Sequence, residues 1–236
     1  MTARPILAAL ALATLAAATP AGACGWWGES VGEKPPESVT TNKSDLAKLD
    51  TSTPEGMAQM AHAYRLGQGV PQDDLVARRW MTRAARAGDA GAMNDLGQMF
   101  EMGIGGPEDQ AGAARWYGAA AEAGIAQAQH SLALMLFEGR GVARDSARAG
   151  QLLRGAAQAG HATAAADLAF RIWAGDIAPQ APHEGCLWSL VAGRLGANGG
   201  AETCRRQEVG LSEDALSSLA KQAAAIVRTS GQKGQS

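Results

Sequence analysis

Residues 92–124 read AMNDLGQMFEMGIGGPEDQAGAARWYGAAAEAG, and the parsing of this stretch decides the fold. In its first half Ala92, Leu96 and Phe100 keep the i, i+4, i+8 spacing of one helix face, with Gly97 beside them. Gly103 then supplies a residue that can turn left-handed and end a helix. After the loop, Asp109 stands where an N-cap belongs, and Ala113, Trp116 and Ala120 share one face of a second helix that stops at Gly124. The stretch predicts two helices and a connecting turn.

The same grammar recurs on both sides. Glycine stands at Gly67, Gly103, Gly139 and Gly175, 36 residues apart, and again at Gly88, Gly124, Gly160 and Gly196. Trp80, Trp116, Leu152 and Trp188 keep that step, as do Ala84, Ala120, Ala156 and Ala192, and so do Asp73, Asp109 and Asp145. Four units result, spanning about 53–90, 91–126, 127–162 and 163–196. A fixed period over four units predicts an α/α solenoid, in which each unit buries its apolar face on the next. Thr53-Pro54 opens the first unit as N-cap and N1. The glycine-rich GQGVPQDD at 67–74 returns as GIGGPEDQ and GRGVARDS, follows a helix and lacks lysine. It is a turn and a helix cap, not a phosphate loop.

The pattern A-x-x-x-L-G-x-x-F-x-x-G-x-G, then D-x-x-x-A-x-x-W-x-x-x-A-A-x-x-G, resembles the Sel-one-like repeat (SLR) family, relatives of the tetratricopeptide repeats. The resemblance covers roughly 54–228. The second unit carries it most fully. The first has Met60, Ala61 and Tyr64 at the leucine, glycine and aromatic places, and the third keeps Leu132 and the loop Gly139 to Val142. In the fourth, Ile177 and Ala181 replace the second loop glycine and the cap. The resemblance implies an all-α superhelix that holds or displays other proteins, commonly exported in bacteria, with no catalytic residues. Some cysteine-rich secreted members have been linked to penicillin binding or β-lactam hydrolysis. A hydrolase of β-lactams or peptidoglycan fragments is therefore the enzymatic alternative, although this chain has at most one cysteine pair where those members have many.

The front of the chain reads as an export signal over residues 1–23. Arg4 supplies the positive start, Ile6 to Ala18 an apolar run too short to span a bilayer, and residues 21–23 the small residues for cleavage. Cys24 is then either the lipid-accepting first residue of a lipoprotein or the first residue after ordinary cleavage. The place expected is the periplasm, soluble or tethered through Cys24. Residues 24–52, with Trp26, Trp27 and Pro35-Pro36, read as a flexible tether. At the other end, 197–229 read as capping helices. Ser212 is the N-cap of the last one, which turns Ala215, Leu219, Ala223 and Val227 inward, and 230–236 form a loose tail. Cys204 lies 36 residues after Leu168, at an inward place of a fifth A-type helix. Cys186 and Cys204 sit nine residues either side of 195, at equal heights in an antiparallel pair, which predicts a disulfide.

Composition excludes some functions. The formal charge is −2, or −3 without Arg4 (20 basic against 23 acidic residues), and no basic tract calls for nucleic acid or anionic lipid. The histidines, His62, His130, His161 and His183, form no H-E-x-x-H motif, and His161 reads as a solvent-exposed turn residue. His183 with Cys186 and Cys204 would give three zinc ligands, but the same cysteines are wanted for the disulfide. No catalytic residue, metal or cofactor is expected. For binding, the places equivalent to 59, 62, 63 and 66 form the free face of the first helices. They hold His62, Asp95, Gln98, Met99, Met102, Leu134, Met135, Asp167, Phe170 and Arg171, an apolar strip with a charged rim. Flexible methionines on an open face suit a protein or peptide partner bound in a concave groove. An envelope assembly factor that uses its ends or convex surface is the remaining alternative.

Overall fold

The structure, a computed structural model, describes residues 46–197, 200–208 and 210–233. The export signal, Cys24, Trp26 and Trp27 lie outside the described residues. Among those described, helices follow one another in four pairs: α1 (Pro54–Leu66) with α2 (Asp74–Arg86), α3 (Ala90–Glu101) with α4 (Gln110–Glu122), α5 (Ala126–Glu138) with α6 (Ser146–Gln158), and α7 (Ala162–Trp173) with α8 (Glu184–Arg194). Two more, α9 (Gly200–Gln207) and α10 (Glu213–Lys233), end the array. From α1 to α9 each helix packs on its neighbours in sequence, and α10 lies on α8 and reaches α6. The fold is an all-α solenoid with first helices A (α1, α3, α5, α7) and second helices B (α2, α4, α6, α8).

The helix ends obey the residues placed there. The carboxylates of Asp73, Asp109 and Asp145 accept from the N–H groups of Val76, Gly112 and Arg148 at 3.0, 2.8 and 2.9 Å, and Thr53 accepts from Gly56 at 3.1 Å. Each such cap is worth about 1 kcal/mol. Gly67 and Gly139 take φ of 67° and 74° as αL stops, a conformation that strains other residues. Two boundaries differ from expectation. Leu46 is buried and the Asp50 carbonyl sits over Gly56, so residues 46–52 pack on α1 instead of belonging to a free tether. Helix α10 continues past Thr229 to Lys233, because the Ser230 side chain is buried against Gly160.

The pairs share a buried place on A held by a small residue, matched on B by a large one in the first three repeats. Ala61, Gly97, Ala133 and Ala169 are all buried at one place of the period. Opposite them on B stand Met81, Tyr117, Leu153 and Ser189, also buried, whereas Trp116, expected inward, is only half-buried. In the second repeat the ring is so close that a Cβ on Gly97 would stand 2.7 Å from Tyr117 Cδ1. Tyr117 cannot retreat, since its hydroxyl donates to Glu101 Oε2 at 2.8 Å. Burial, reinforced by that carboxylate, pushes the phenol well above its ordinary pKa and keeps it a donor.

Side chains also tie one repeat to the next. Arg140 donates to Glu101 at 2.6 Å and so joins the second repeat to the third. Arg154, on α6, makes a paired bridge to Glu184 at the start of α8, at 2.8 and 3.2 Å, with both side chains nearly buried. Burial raises the Glu184 carboxyl, but hydrogen bonds from Arg154, the Gln180 N–H and the Trp188 indole outweigh it and hold the group below the usual carboxylate range. His130 on α5 pairs with Asp167 on α7 at 2.6 Å. Cys186 and Cys204, both fully buried with Cα atoms 4.7 Å apart, are joined as a disulfide that locks α8 to α9.

His161 is not the exposed turn residue expected. It is the N-cap of α7, its Nδ1 accepting from the Ala164 N–H at 3.1 Å, with Gln127 on its other nitrogen and the His130 ring centroid 5.0 Å away. Burial first, then His130, push its pKa down to about 4, against a smaller upward pull from Asp167.

Two outcomes are expected. Helix propensity alone would favour Gly97→Ala by about 1 kcal/mol, yet the clash should make it destabilising by about 1–3 kcal/mol, read as a lower urea midpoint. Adding Tyr117→Leu recreates the Ala133 and Leu153 pair of the third repeat and should restore most of the loss. For His161 the folded pKa lies below the unfolded value of 6.5, so the unfolded chain takes up the proton first. Its contribution is fully present above pH 6.5 and is lost as pH falls to about 4. Urea titrations at pH 7 and pH 4.5 should therefore differ less for His161→Asn than for the wild type, by on the order of 1–2 kcal/mol after solvent screening. An unchanged difference would refute this.

Candidate partner-binding face

The four A helices present equivalent places 36 residues apart, and burial sorts them. The place of residue 63 is closed: Ala63, Met99 and Met135 are 1 %, 2 % and 0 % exposed. Met99 and Met135 are thus not part of an open strip. Met99 packs in the cluster of Ala61, Met81 and Leu96, and Met135 lies in the core of the later repeats. Both fill the buried seam beneath the surface places, where an unbranched thioether chain suits an irregular gap.

The places of residues 62 and 66 remain at the surface. Leu66, Met102 and Phe170 are the large apolar side chains that stand out here, at 56 %, 70 % and 62 % exposed. His62, Gln98 and Leu134 are half-buried beside them. Residues 62 and 66 are one helical turn apart, so these side chains share one face of the A-helix row. Scattered exposed apolar residues need no explanation, but several on one periodic face do.

The charged rim is largely engaged within the protein. Asp95 on α3 pairs with His62 on α1 at 3.3 Å, and Asp167 on α7 with His130 on α5. Arg171 donates to Asp176 at 2.9 Å and stacks its guanidinium 4.3 Å over the Phe137 ring. Asp95 and Asp167 therefore hold neighbouring A helices together as well as bordering the face. His130, which supplies one of these ties, was not singled out from sequence; its only signal was a histidine 37 residues before an aspartate, one period plus one. His183 pairs with Glu208 and Cys186 with Cys204, so the three-ligand zinc arrangement does not form. Among the described residues no group of three or more His, Cys, Asp or Glu side chains is placed to hold a metal ion.

The comparisons agree with this architecture. The Sel1 repeat profile matches residues 54–89, 90–125 and 126–161. No curated protein matches the sequence. Among solved structures, a Sel1 repeat protein from Oxalobacter formigenes superposes with a TM-score of 0.68 at 24 % identity, over 79 % of this chain and 80 % of that one. The protein c5321, a protective antigen of uropathogenic Escherichia coli with an SLR fold, superposes with a TM-score of 0.67 at 24 % identity, over 82 % of this chain and 42 % of that one. The chain thus spans less than half of the second protein's length, and at this identity both likenesses speak to the fold alone. Three consecutive profile matches, falling on the helix pairs α1–α2, α3–α4 and α5–α6, make this chain a Sel1-repeat protein.

Proposed function

We propose that this chain is a non-catalytic, exported scaffold that binds a protein or peptide partner along the row of its A helices, in the concave groove of the solenoid. The observation that carries the proposal is the apolar face made by Leu66, Met102 and Phe170, with Leu134 and Gln98 between them. Repeat solenoids offer such extended faces without a catalytic centre, and function then lies in the side chains displayed. The buried seam behind it, filled by Met99 and Met135, keeps the displayed residues in register. Asp95, Asp167 and Arg171 border the face and select a partner with polar groups at its edges.

Export rests on residues 1–23, and attachment to the membrane on lipidation of Cys24. A disulfide is compatible with an oxidising compartment. No helix among the described residues is long and apolar enough to cross a membrane. The place of work that fits these features is the bacterial periplasm, free or tethered.

The test is crosslinking in cells with affinity capture, comparing the wild type with a Leu134→Glu, Phe170→Glu double variant that stays folded by circular dichroism. Loss of one captured envelope protein by roughly tenfold or more in the variant is the expected result. Equal capture by both proteins would move binding to another surface. Turnover of a β-lactam by the purified protein would overturn the non-catalytic reading.

A further inference from the structure

On the B side of the solenoid the four repeats treat one place in four different ways. The place is residue 78 in the first repeat, and its equivalents are Ala114, Gly150 and Cys186. Each looks across a groove between its own B helix and the next repeat. In the first groove Arg78 lies in the gap, its guanidinium 3.9 Å from the centre of the Phe100 ring, and it donates to the carbonyls of Ile104 and Pro107 at 3.5 and 3.3 Å. Gly106 makes room for it, since a Cβ there would stand 2.5 Å from Arg78 Nη1. In the third groove Gly150 leaves space that Ile177 occupies, its Cγ2 3.2 Å from where a Cβ would be. In the fourth, Cys186 is joined to Cys204. Three of the four grooves are closed from within.

The second is open. Ala114 has no side chain to reach across, and a cavity of about 890 Å³ remains between α4, α5 and the start of α6. Its floor is apolar and small: Ala114, Gly118 and Ala119 on α4, Leu132 and Leu136 on α5. Its rim is basic. Where the first groove has a cation inside and Glu108 at the loop, the second has no cation inside and Arg144 at the equivalent place; Arg148 stands where Gly112 was. Ala119 and Glu122 replace Arg83 and Arg86, so the cations move from the B helix to the loop and α6. The guanidinium groups of Arg144 and Arg148 have no hydrogen-bond or ion-pair partner among the described residues. Arg115, the third rim cation, is 72 % exposed and held only by Asp109 at 3.7 Å, a pairing of small worth at that exposure. Two carboxylates also line the cavity. Asp145 gives one oxygen to the cap of α6 and keeps its charge, and Glu122 stands on α4, so the lining carries three cations against two anions.

From the open floor and the two unpartnered guanidinium groups at its loop and α6 edge we infer that the groove between the second and third repeats is a second binding site, for an extended acidic segment of a partner protein. Its carboxylates meet Arg115, Arg144 and Arg148, and a short aliphatic side chain between them enters the space that Arg78 fills in the first groove. An apolar pocket that fixes orientation inside a charged rim is how such segments gain both register and rate of encounter. The site is lined by α4, the start of α6, and Leu132 and Leu136 of α5, not by the displayed places of the A helices, and does not depend on the function proposed for that face.

The probe is a fluorescein-labelled heptapeptide, GEDVDEG, titrated by fluorescence polarisation at low ionic strength. Its controls are the neutral isostere GQNVNQG and the polar-centre version GEDSDEG. Saturable binding of GEDVDEG is expected, weakened by roughly tenfold or more for either control. Ala114→Arg should close the groove as Arg78 does next door, and Arg144→Glu with Arg148→Glu should reverse its rim; each should weaken binding by roughly tenfold. The Leu134→Glu, Phe170→Glu variant should bind the peptide as the wild type does, and its failure to do so would move the site to the A-helix face. Equal binding of GQNVNQG, binding undiminished by the arginine substitutions, or no saturation at millimolar peptide would each overturn the proposal. Should Ala114→Arg unfold, the rim variant, whose residues are exposed, decides the question alone.

Discussion

The first three helix pairs depend on the close approach of a large B residue to a small A residue, repeated along the chain. An isolated pair of helices of about a dozen residues is marginal in water, and a single pair leaves half its apolar surface exposed. The contact of Tyr117 with Gly97 lets the two helices of the second repeat approach until backbone and ring touch. That approach in turn places Phe100 and Leu136 toward the preceding repeat, Phe100 against Arg78 and Leu136 in the groove beside Ala114. The caps, the αL glycines and the turn at 46–52 all serve to keep this spacing constant, because a solenoid sums many nearest-neighbour contacts and has no central core to absorb an error.

The fourth repeat shows what happens when the pattern lapses. Its loop has lost a glycine and its cap aspartate, and Ser189 replaces the large residue of the B helix. Other interactions take over the same job. Ile177 fills the space beside Gly150, Glu184 gathers Arg154, the Gln180 N–H and Trp188, and the disulfide fixes α8 to α9. A buried ion pair seldom adds net stability, since both partners must leave water, but it penalises any arrangement that separates them. Here it specifies how an irregular repeat must sit on a regular one. In the chain-entropy account the disulfide adds about 3 kcal/mol by closing a short loop.

Much of this was legible in the sequence, for a physical reason. A period of 36 residues reports which positions are equivalent, so the caps at Asp73, Asp109 and Asp145, the glycine stops and the pairing of Cys186 with Cys204 could be read by counting. The period does not report the rotation of a helix about its axis. Met99 and Met135 lie one residue from Gln98 and Leu134, and a turn of 100° separates a buried seam from a surface. Exposed methionine and buried methionine look alike in a sequence. His161 and His130 escaped for a related reason: their roles come from the approach of α5 to α7, which no local pattern encodes. Likewise Tyr117, the most deeply engaged aromatic, stood beside a tryptophan that looked the better candidate for the core.

A repeat protein gains function where its copies stop being alike. Equivalent positions begin as the same residue doing the same work, so a departure either repairs the packing or is free to serve something else. Glu184 and the Cys186–Cys204 bridge are departures with a visible packing partner. Phe170 and Met102, on the A side, project into solvent, and Ala114, on the B side, opens a groove that its counterparts close. The cations around that groove are rearranged: guanidinium groups are lost inside at Ala114 and further along α4 at Ala119 and Glu122, while cations appear at Arg144 and Arg148. Arg144 and Arg148 find no partner within the described residues, and an anionic occupant would supply one.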